Sequence, residues 1–254
     1  MSSSAYKKRR LSLQRRMAAA SAKICHERNT IYTVAEVDIT IPRNYIKQHQ
    51  LNTGTKLSLT AYVVSTLARA VSEFPDFNAL TNGRNLYVLN DITIGTLVER
   101  KIEDEMVPEP FGIQKANTKT VSEIHKEIRD AQSNTSEKLG SLSGASWVRF
   151  IPSFLFRTMI RLASRNVMVA KKYGVITVTS VGMFSKKPFW LLPLSATTIS
   201  IAIGGIARLF NDGEEYREIL CITIGFDHDI IDGAPAARFT SRFMELLESG
   251  AVLL

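Results

Sequence analysis

The chain has 254 residues, of which 45% are hydrophobic, 22% charged and 8% aromatic, a composition that excludes a disordered or fibrous protein. No uninterrupted apolar stretch reaches 18 residues and no apolar core follows the basic N-terminus, which argues against a membrane span and a secretory signal. The net charge of +8 falls to +2 without the six Lys and Arg of residues 1–16. We interpret this arm as a solvated segment or a subunit contact, and nucleic-acid binding is not expected of the nearly neutral body.

The first half of the chain contains four predicted segments. A helix follows the basic arm within residues 1–30, and a β-branched strand spans 30–41, where Pro42 ends it. Apolar residues at helical spacing predict a helix over 57–74 that stops at Pro75. Two short strands, 86–89 and 92–97, then flank a hairpin-like turn at Asn90-Asp91.

The second half continues with helices and longer strands. The predicted elements are an amphipathic helix over 121–132, a Gly/Ser-rich loop over 140–146, a helix over 150–169, a buried strand over 174–181, a hairpin of strands 199–208 and 218–226 around Asn211-Asp212-Gly213, and a last helix from about Pro235 to Glu248 before Gly250. Strands and helices mix without a βαβ rhythm. We expect a basic arm over residues 1–20 and a single α/β (α+β) domain over 21–254.

The two cysteines and four histidines have no metal-ligand spacing. Cys25 and Cys221 lie far apart and are read as reduced thiols of a cytoplasmic protein. The histidines make no zinc signature, so no metal site is predicted.

The segment with the clearest chemistry runs from Cys221 to Phe239 and reads CITIGFDHDIIDGAPAARF. An apolar strand ends in a polar loop that contains His228 and Asp232, followed by Gly233 and a helix. His titrates near neutrality and can remove a proton from a thiol or hydroxyl. Asp232 could anchor the loop or orient the site, and Gly233 permits a backbone conformation closed to other residues. From these residues alone, a structural histidine is the more frequent case.

The pattern His-x-x-x-Asp-Gly between an apolar strand and an Ala-rich helix resembles the active-site motif of the chloramphenicol acetyltransferase-like superfamily. It resembles more closely the catalytic domain of the acyltransferase subunits of 2-oxo acid dehydrogenase complexes. Three other segments resemble that family in the same order: 30–39, 57–78 with Phe74-Pro75-Asp76-Phe77-Asn78, and 177–184 with Thr177-Val178-Thr179-Ser180-Val181-Gly182.

The resemblance implies a two-layer mixed sheet with helices and a CoA-dependent acyl transfer. His228 would be the general base, Thr179 the hydroxyl that stabilises the oxyanion, and Asp232 a further catalytic-site residue that organises the loop. Ser180, Gly182 and Gly233 are assigned to substrate binding. Coenzyme A is the implied substrate, and no metal is implied. The family also implies a homotrimer or a larger trimer-based assembly, in which His228 and Thr179 of adjacent subunits meet.

The sequence departs from the family pattern in two places. Asp229 follows His228 where the family usually has Arg. Residues 140–172 form a longer segment, with the aromatics Trp147, Phe150, Phe154 and Phe156, which would reshape the acceptor channel, cover an oligomer surface or add packing. We therefore expect an acyl acceptor other than dihydrolipoamide.

The chain begins almost at the catalytic domain, so we expect no covalently bound lipoyl group and a carrier in trans if one is used. The alternative function is a non-catalytic oligomeric scaffold that retains the acyltransferase fold.

Overall fold

The computed structural model describes residues 6–9, 11–102, 105–133, 153–185, 187–210 and 216–253. Within them the α-helices are α1 (Leu13–Cys25), α2 (Thr40–Thr53), α3 (Leu59–Glu73), α4 (Val121–Ser133), α5 (Ser153–Ser164), α6 (Val167–Tyr173) and α7 (Gly233–Ser249). The strands are β1 (Thr30–Asp38), β2 (Ala79–Asn82), β3 (Asn85–Val88), β4 (Ile94–Ile102), β5 (Glu105–Ile113), β6 (Ile176–Ser180), β7 (Ile199–Phe210) and β8 (Tyr216–Asp227).

Six strands form one mixed sheet in the order β1-β8-β7-β6-β4-β5. The pairs β1–β8, β7–β8 and β4–β5 are antiparallel, whereas β6 runs parallel to both β7 and β4. Strand β8 thus lies between the edge strand β1 and β7, and its C-terminal end lies beside the start of β1, with Asp227 opposite Thr30. This mixed α/β architecture confirms the predicted fold class.

Helices α3, α4 and α7 pack with the sheet around the hydrophobic core. Helix α3 begins at Ser58, whose hydroxyl accepts a hydrogen bond from the amide of Ala61 at 3.1 Å. Tyr62 is fully buried on this helix and donates its hydroxyl to the carbonyl of Leu247 in α7. The core thus joins the middle of the chain to its C-terminal helix.

Aromatic rings support the end of β8. Phe226 and Phe239 are both fully buried and meet edge to face, with their centroids 5.8 Å apart. Phe77 lies 5.4 Å from Phe239 and Phe74 lies at the same distance from it. Because Phe226 directly precedes Asp227, these contacts hold the end of the strand against α7.

The first predicted strand is shorter than expected. It ends at Asp38, and residues 40–53 form helix α2, which the sequence had not predicted. Asp38 Oδ1 accepts a hydrogen bond from the amide of Thr40 at 3.0 Å and so turns the chain into the helix. Pro42 lies in the first turn of α2, where the amide that proline lacks has no intrahelical partner.

The predicted hairpin around Asn90-Asp91 is wrong. Strand β3 pairs instead with β2 through the turn at Gly83, which adopts φ +62°. Strand β4 belongs to the main sheet, where it pairs with β5, a strand that was not predicted. Two turn signals competed here, and the long-range pairing of β4 decided between them.

The helix predicted over 150–169 is divided into α5 and α6. The division occurs at Asn166, whose side-chain oxygen accepts hydrogen bonds from the amides of Met168 and Val169 and so begins a new helix. The predicted loop 140–146, Trp147, Phe150 and the turn 211–213 lie outside the described residues. The other elements predicted beyond residue 120 are confirmed, with shifted ends.

The boundary predicted at residue 20 falls inside helix α1, which packs on α5 through Ala20 and Phe156. Among the described residues, no helix combines the length and the apolar character needed to cross a membrane.

Candidate active site

The predicted site residues form two groups at different places on the sheet. His228, Asp232 and Gly233 follow β8, in the loop of residues 227–232 and the start of α7, and we call residues 227–232 the His228 loop. Thr179 and Ser180 end β6, and Gly182 begins the 3₁₀ turn Gly182–Phe184 that follows. Each group is compact in sequence and lies at the end of a strand, as predicted.

Asp227 organises the His228 loop. Its backbone carbonyl accepts hydrogen bonds from the amides of Ile230 and Ile231, and its Oδ1 accepts one from the amide of Asp229 at 3.1 Å. Its Oδ2 pairs with the Arg28 guanidinium at 2.9 Å. These contacts give Asp227 the loop-organising role that the sequence suggested for Asp232.

The pair of Asp227 and Arg28 is largely removed from solvent, since their side chains are 2% and 14% exposed. Burial raises the pKa of the Asp227 carboxyl, and the charge of Arg28 opposes that rise. An unpaired carboxylate at this position would be strongly unfavourable. Arg28 is therefore needed for the loop to keep its conformation with Asp227 ionised.

The turn between α1 and β1 holds the loop from the other side. The backbone amide of His228 donates to the carbonyl of Asn29 at 2.7 Å, and the Asn29 side chain donates to Asp229 Oδ1 at 2.9 Å. With the Arg28 pair, three contacts from two consecutive residues fix the backbone on both sides of His228. The imidazole of His228 is thus attached to a backbone that is held in one position.

The His228 ring is available for chemistry. Its side chain is 44% exposed, and neither ring nitrogen makes a hydrogen bond to another described residue. Nδ1 lies 3.7 Å from Asp232 Oδ1, beyond hydrogen-bond distance but close enough for electrostatic attraction. A histidine kept for packing would be buried or bonded, so this geometry favours a role toward a ligand.

Asp232 and Gly233 differ from their expected local roles. Asp232 precedes the first residue of α7 but makes no capping hydrogen bond, and its side chain is 86% exposed. Gly233 does not adopt positive φ, and a Cβ there would meet nothing within 4 Å. The expectation of a backbone conformation reserved for glycine is therefore wrong at Gly233, because the residue is simply the first of a helix.

Thr179 lies on the outer face of the sheet. Its neighbour Val178 points into the core, and alternate residues of a strand face opposite sides. The hydroxyl of Thr179 is half-buried and makes no hydrogen bond to any residue that the structure describes. It is free to donate to a ligand.

Gly182 is required by close packing. A Cβ at this position would lie 1.9 Å from the carbonyl oxygen of Gly204, where the register of β7 against β8 is irregular. The turn after Thr179 and Ser180 is therefore held directly against β7, and a side chain at Gly182 would push it away.

Within one chain the two groups do not meet. Thr179 is level with Ala202 of β7, which is paired with Thr223 of β8. His228 lies five residues beyond Thr223, about 16 Å along the strand, and β6 lies two strand spacings, about 10 Å, from β8. A hydroxyl and an imidazole at this separation cannot act on the same carbonyl.

A cleft of about 270 Å³ lies beside the His228 loop. Arg28, Arg161 and Arg165 line it together with Glu27 and Asp229, and we call it the arginine recess. Hydrogen bonds from Arg161 and Arg157 lower the pKa of Glu27 to about 2, so this carboxylate stays ionised. Within the described residues no group of three His, Cys, Asp or Glu side chains is arranged to hold a metal ion.

Sequence analysis missed Arg28, Asn29 and Asp227 as parts of the site. Asp227 is adjacent to the motif, at the point where the apolar strand ends, and this position was its only signal in the sequence. No sequence signal connects Arg28 or Asn29 to the loop, because the contact depends on the pairing of β1 with β8.

Comparison with known proteins shows the family to which the chain belongs. The family model of the 2-oxoacid dehydrogenases acyltransferase (catalytic domain) matches residues 2–144 and 169–254. The acetyltransferase component of the pyruvate dehydrogenase complex of Rickettsia felis is 23% identical over 206 residues, 79% of this chain and 42% of that protein. The chain thus spans less than half the length of this curated relative.

Solved structures show the same fold. For the cubic core of the pyruvate dehydrogenase multienzyme complex, the TM-score is 0.70 at 19% identity, and the alignment covers 99% of this chain and 96% of that chain. Dihydrolipoamide acetyltransferase of Azotobacter vinelandii gives 0.70 at 19%, covering 98% and 94%. Chloramphenicol acetyltransferase gives 0.52 at 13%, covering 96% and 99%. The chain therefore belongs to the family of 2-oxoacid dehydrogenase acyltransferases, as its catalytic domain.

Proposed function

We propose that the protein is a CoA-dependent acyltransferase in which His228 is the general base. The observation that carries this proposal is the exposed, unbonded imidazole of His228 on a loop fixed by Asp227 and Arg28. The Azotobacter vinelandii study concerns a serine, a histidine and an asparagine in catalysis, and its histidine and asparagine are four residues apart. His228 and Asp232 have the same spacing.

In the proposed reaction, His228 removes the proton from the acceptor thiol or from CoA, according to direction. The thiolate attacks the thioester carbonyl, and the resulting oxyanion accepts a hydrogen bond from the Thr179 hydroxyl. Collapse of the tetrahedral intermediate expels the other thiolate, which takes the proton back from the imidazolium. One oxyanion donor lowers the barrier by about 2.7–4 kcal/mol. Asp232 lies beside the base, with its Oδ1 3.7 Å from His228 Nδ1.

Ser180, Gly182 and Gly233 complete the proposed site as substrate-binding positions. The Gly182 turn fixes the approach to Thr179, and the open space around Gly233 leaves room for a substrate or a neighbouring chain. CoA is the proposed acyl carrier, and a lipoyl group on another protein is one candidate acceptor.

The site is proposed to form between subunits of a trimer or a larger trimer-based assembly. The separation of His228 from Thr179 within one chain requires a second chain to supply one of them. The turn beside Thr179 also exposes large apolar side chains, with Met183 at 74% and Phe184 at 71%. Such a patch is typical of a subunit contact. The related cubic core agrees, because a cube has threefold axes.

In the direct test, the protein is incubated with a panel of acyl-CoAs and either dihydrolipoamide or cell extract. Free CoA thiol and the acylated product are detected by mass spectrometry. His228→Ala should lower turnover roughly 10²–10⁴-fold with fold and oligomer intact. His49→Ala, at a half-buried histidine of α2 away from the His228 loop, is the matched control and should keep full activity. Absence of turnover with every acyl-CoA would instead favour the non-catalytic scaffold.

A further inference from the structure

Helix α5 is an addition to the family pattern. The family model matches residues up to 144 and again from 169, so α5 lies wholly in the unmatched segment. The helix is nevertheless well anchored, because Phe156 is 2% exposed and packs on Ala20 of α1. This insertion therefore has a defined position against the part of the fold that the family model matches.

The anchored helix directs arginines toward the His228 loop. Arg157 and Arg161 are four residues apart and share one face of α5, and Arg165 directly follows the last residue of the helix. Arg157 and Arg161 both pair with Glu27, which adjoins Arg28. Of the three, Arg161 and Arg165 line the arginine recess, whereas Arg157 does not.

The positive charges of the recess are not all balanced by carboxylates. Arg28 is paired with Asp227, and Arg161 with Glu27. The Arg165 guanidinium makes no ion pair or hydrogen bond within the described part of the chain. With the ion-pair partners Asp227 and Arg157 included, four arginines stand against the three carboxylates Glu27, Asp227 and Asp229, which leaves a local excess of one positive charge.

The recess is also close to the proposed chemistry. Asp229 lines it and is the residue next to His228, and Asn29 fixes the Asp229 carboxylate by a hydrogen bond of 2.9 Å. A group bound in the recess would therefore belong to the same substrate on which His228 acts. A volume of about 270 Å³ accommodates a small polar group.

We propose that the arginine recess binds an oxyanion of the substrate, a phosphate or a carboxylate, through Arg165 and Arg161, so that the inserted helix selects anionic substrates. The guanidinium group suits both ligands, because its planar N–H donors match two oxygens of a carboxylate or phosphate. The proposal rests on the proposed acyl transfer. The oxyanion has two candidate sources, the phosphates of CoA and a carboxylate on the acyl acceptor.

The test measures equilibrium binding by titration calorimetry and therefore does not depend on turnover. The probes are CoA with its phosphate-free counterpart pantetheine, and dihydrolipoate with its neutral counterpart dihydrolipoamide. The variants are Arg165→Gln and Arg161→Gln. Arg157→Gln is the matched control, because it breaks an ion pair with the same Glu27 without altering the lining of the recess.

In both recess variants, the affinity for the anionic member of one probe pair should fall by about tenfold or more, and the affinity for its neutral counterpart should stay unchanged. Loss for CoA identifies a phosphate as the ligand, and loss for dihydrolipoate identifies a carboxylate. Unchanged binding of both anions would overturn the proposal, as would an equal loss in Arg157→Gln. The anion site and the proposed function are tested separately. If the two recess variants lose anion binding as expected but the wild-type protein transfers no acyl group, the anion site stands and the proposed function is refuted.

Discussion

A mixture of two inactive variants should recover activity if His228 and Thr179 act across a subunit interface. His228→Ala alone should lose roughly 10²–10⁴-fold in rate, and Thr179→Val roughly 10²–10³-fold. Within a chain the two groups are separated by about 16 Å along β8 and about 10 Å across the sheet. Each interface must therefore take its imidazole from one subunit and its hydroxyl from the next.

In an equal, random mixture, each intact group is present on half of the chains, so about one interface in four contains both. Co-expressed variants should thus show about a quarter of wild-type activity, far above either variant alone. The assay is release of CoA thiol from an acyl-CoA in the presence of acceptor, with the ratio of the two chains checked by intact mass spectrometry.

A second mixture supplies the control. Wild type combined with a chain that carries both substitutions should also give about a quarter of full activity if the site is shared, but about half if each chain holds a complete site. Activity of the first mixture no higher than that of the separate variants, with the second mixture at one half, would refute the shared site. A stable, fully active monomer in sedimentation would do the same.

Three further predictions concern the supports of the site. Arg28→Met leaves the buried Asp227 carboxylate unpaired, so thermal or denaturant unfolding should show a loss of about 3–5 kcal/mol, and an unchanged stability would contradict the importance of the pair. The pKa of Glu27 is lowered from its ordinary value of 4.5 to about 2, so its ion pairs stabilise the fold fully above pH 4.5. This stabilisation is lost as the pH falls through about 2. The melting temperature of wild type should exceed that of Glu27→Gln at pH 6, with the difference vanishing toward pH 2; a difference independent of pH would exclude the ion pairs as its cause. Gly182→Ala should lower both the melting temperature and the rate, because its Cβ would lie 1.9 Å from a backbone oxygen, whereas Gly233→Ala should leave the melting temperature unchanged; equal effects on melting would show that the packing at Gly182 is not limiting.

Much of this protein could be predicted because the determining residues are near one another in the chain. Ser58 begins α3 through an amide three residues away, and Gly250 follows α7 in the left-handed conformation that glycine favours. The loop with His228 was found from an apolar strand that ends in a loop with His228 and Asp232, followed by a helix. The strand end that contains Thr179 was found from the resemblance of residues 177–184 to the family.

Other features depend on contacts between distant parts of the chain. The sequence predicted a turn at Asn90-Asp91, whereas β3 pairs with β2 through the turn at Gly83 and β4 pairs with β5 and β6 in the main sheet. Asn166 and Asp38 form their hydrogen bonds to amides only two or three residues away. Both residues were nevertheless interpreted as parts of longer elements, the helix 150–169 and the strand 30–41. Local patterns can thus indicate an element without defining its ends or its partner.

The sequence by itself determined the fold class, the positions of most helices and strands, and the two motifs that contain His228 and Thr179. Only the tertiary structure decided that Arg28 pairs with Asp227, that the two motifs lie apart within one chain, and that α5 directs Arg161 and Arg165 toward the His228 loop. The physical reason is that capping and periodicity act over a few residues. The register of β1 on β8 and the packing of α5 on α1 instead join segments more than 100 residues apart, whose relative positions follow from burial of the whole core.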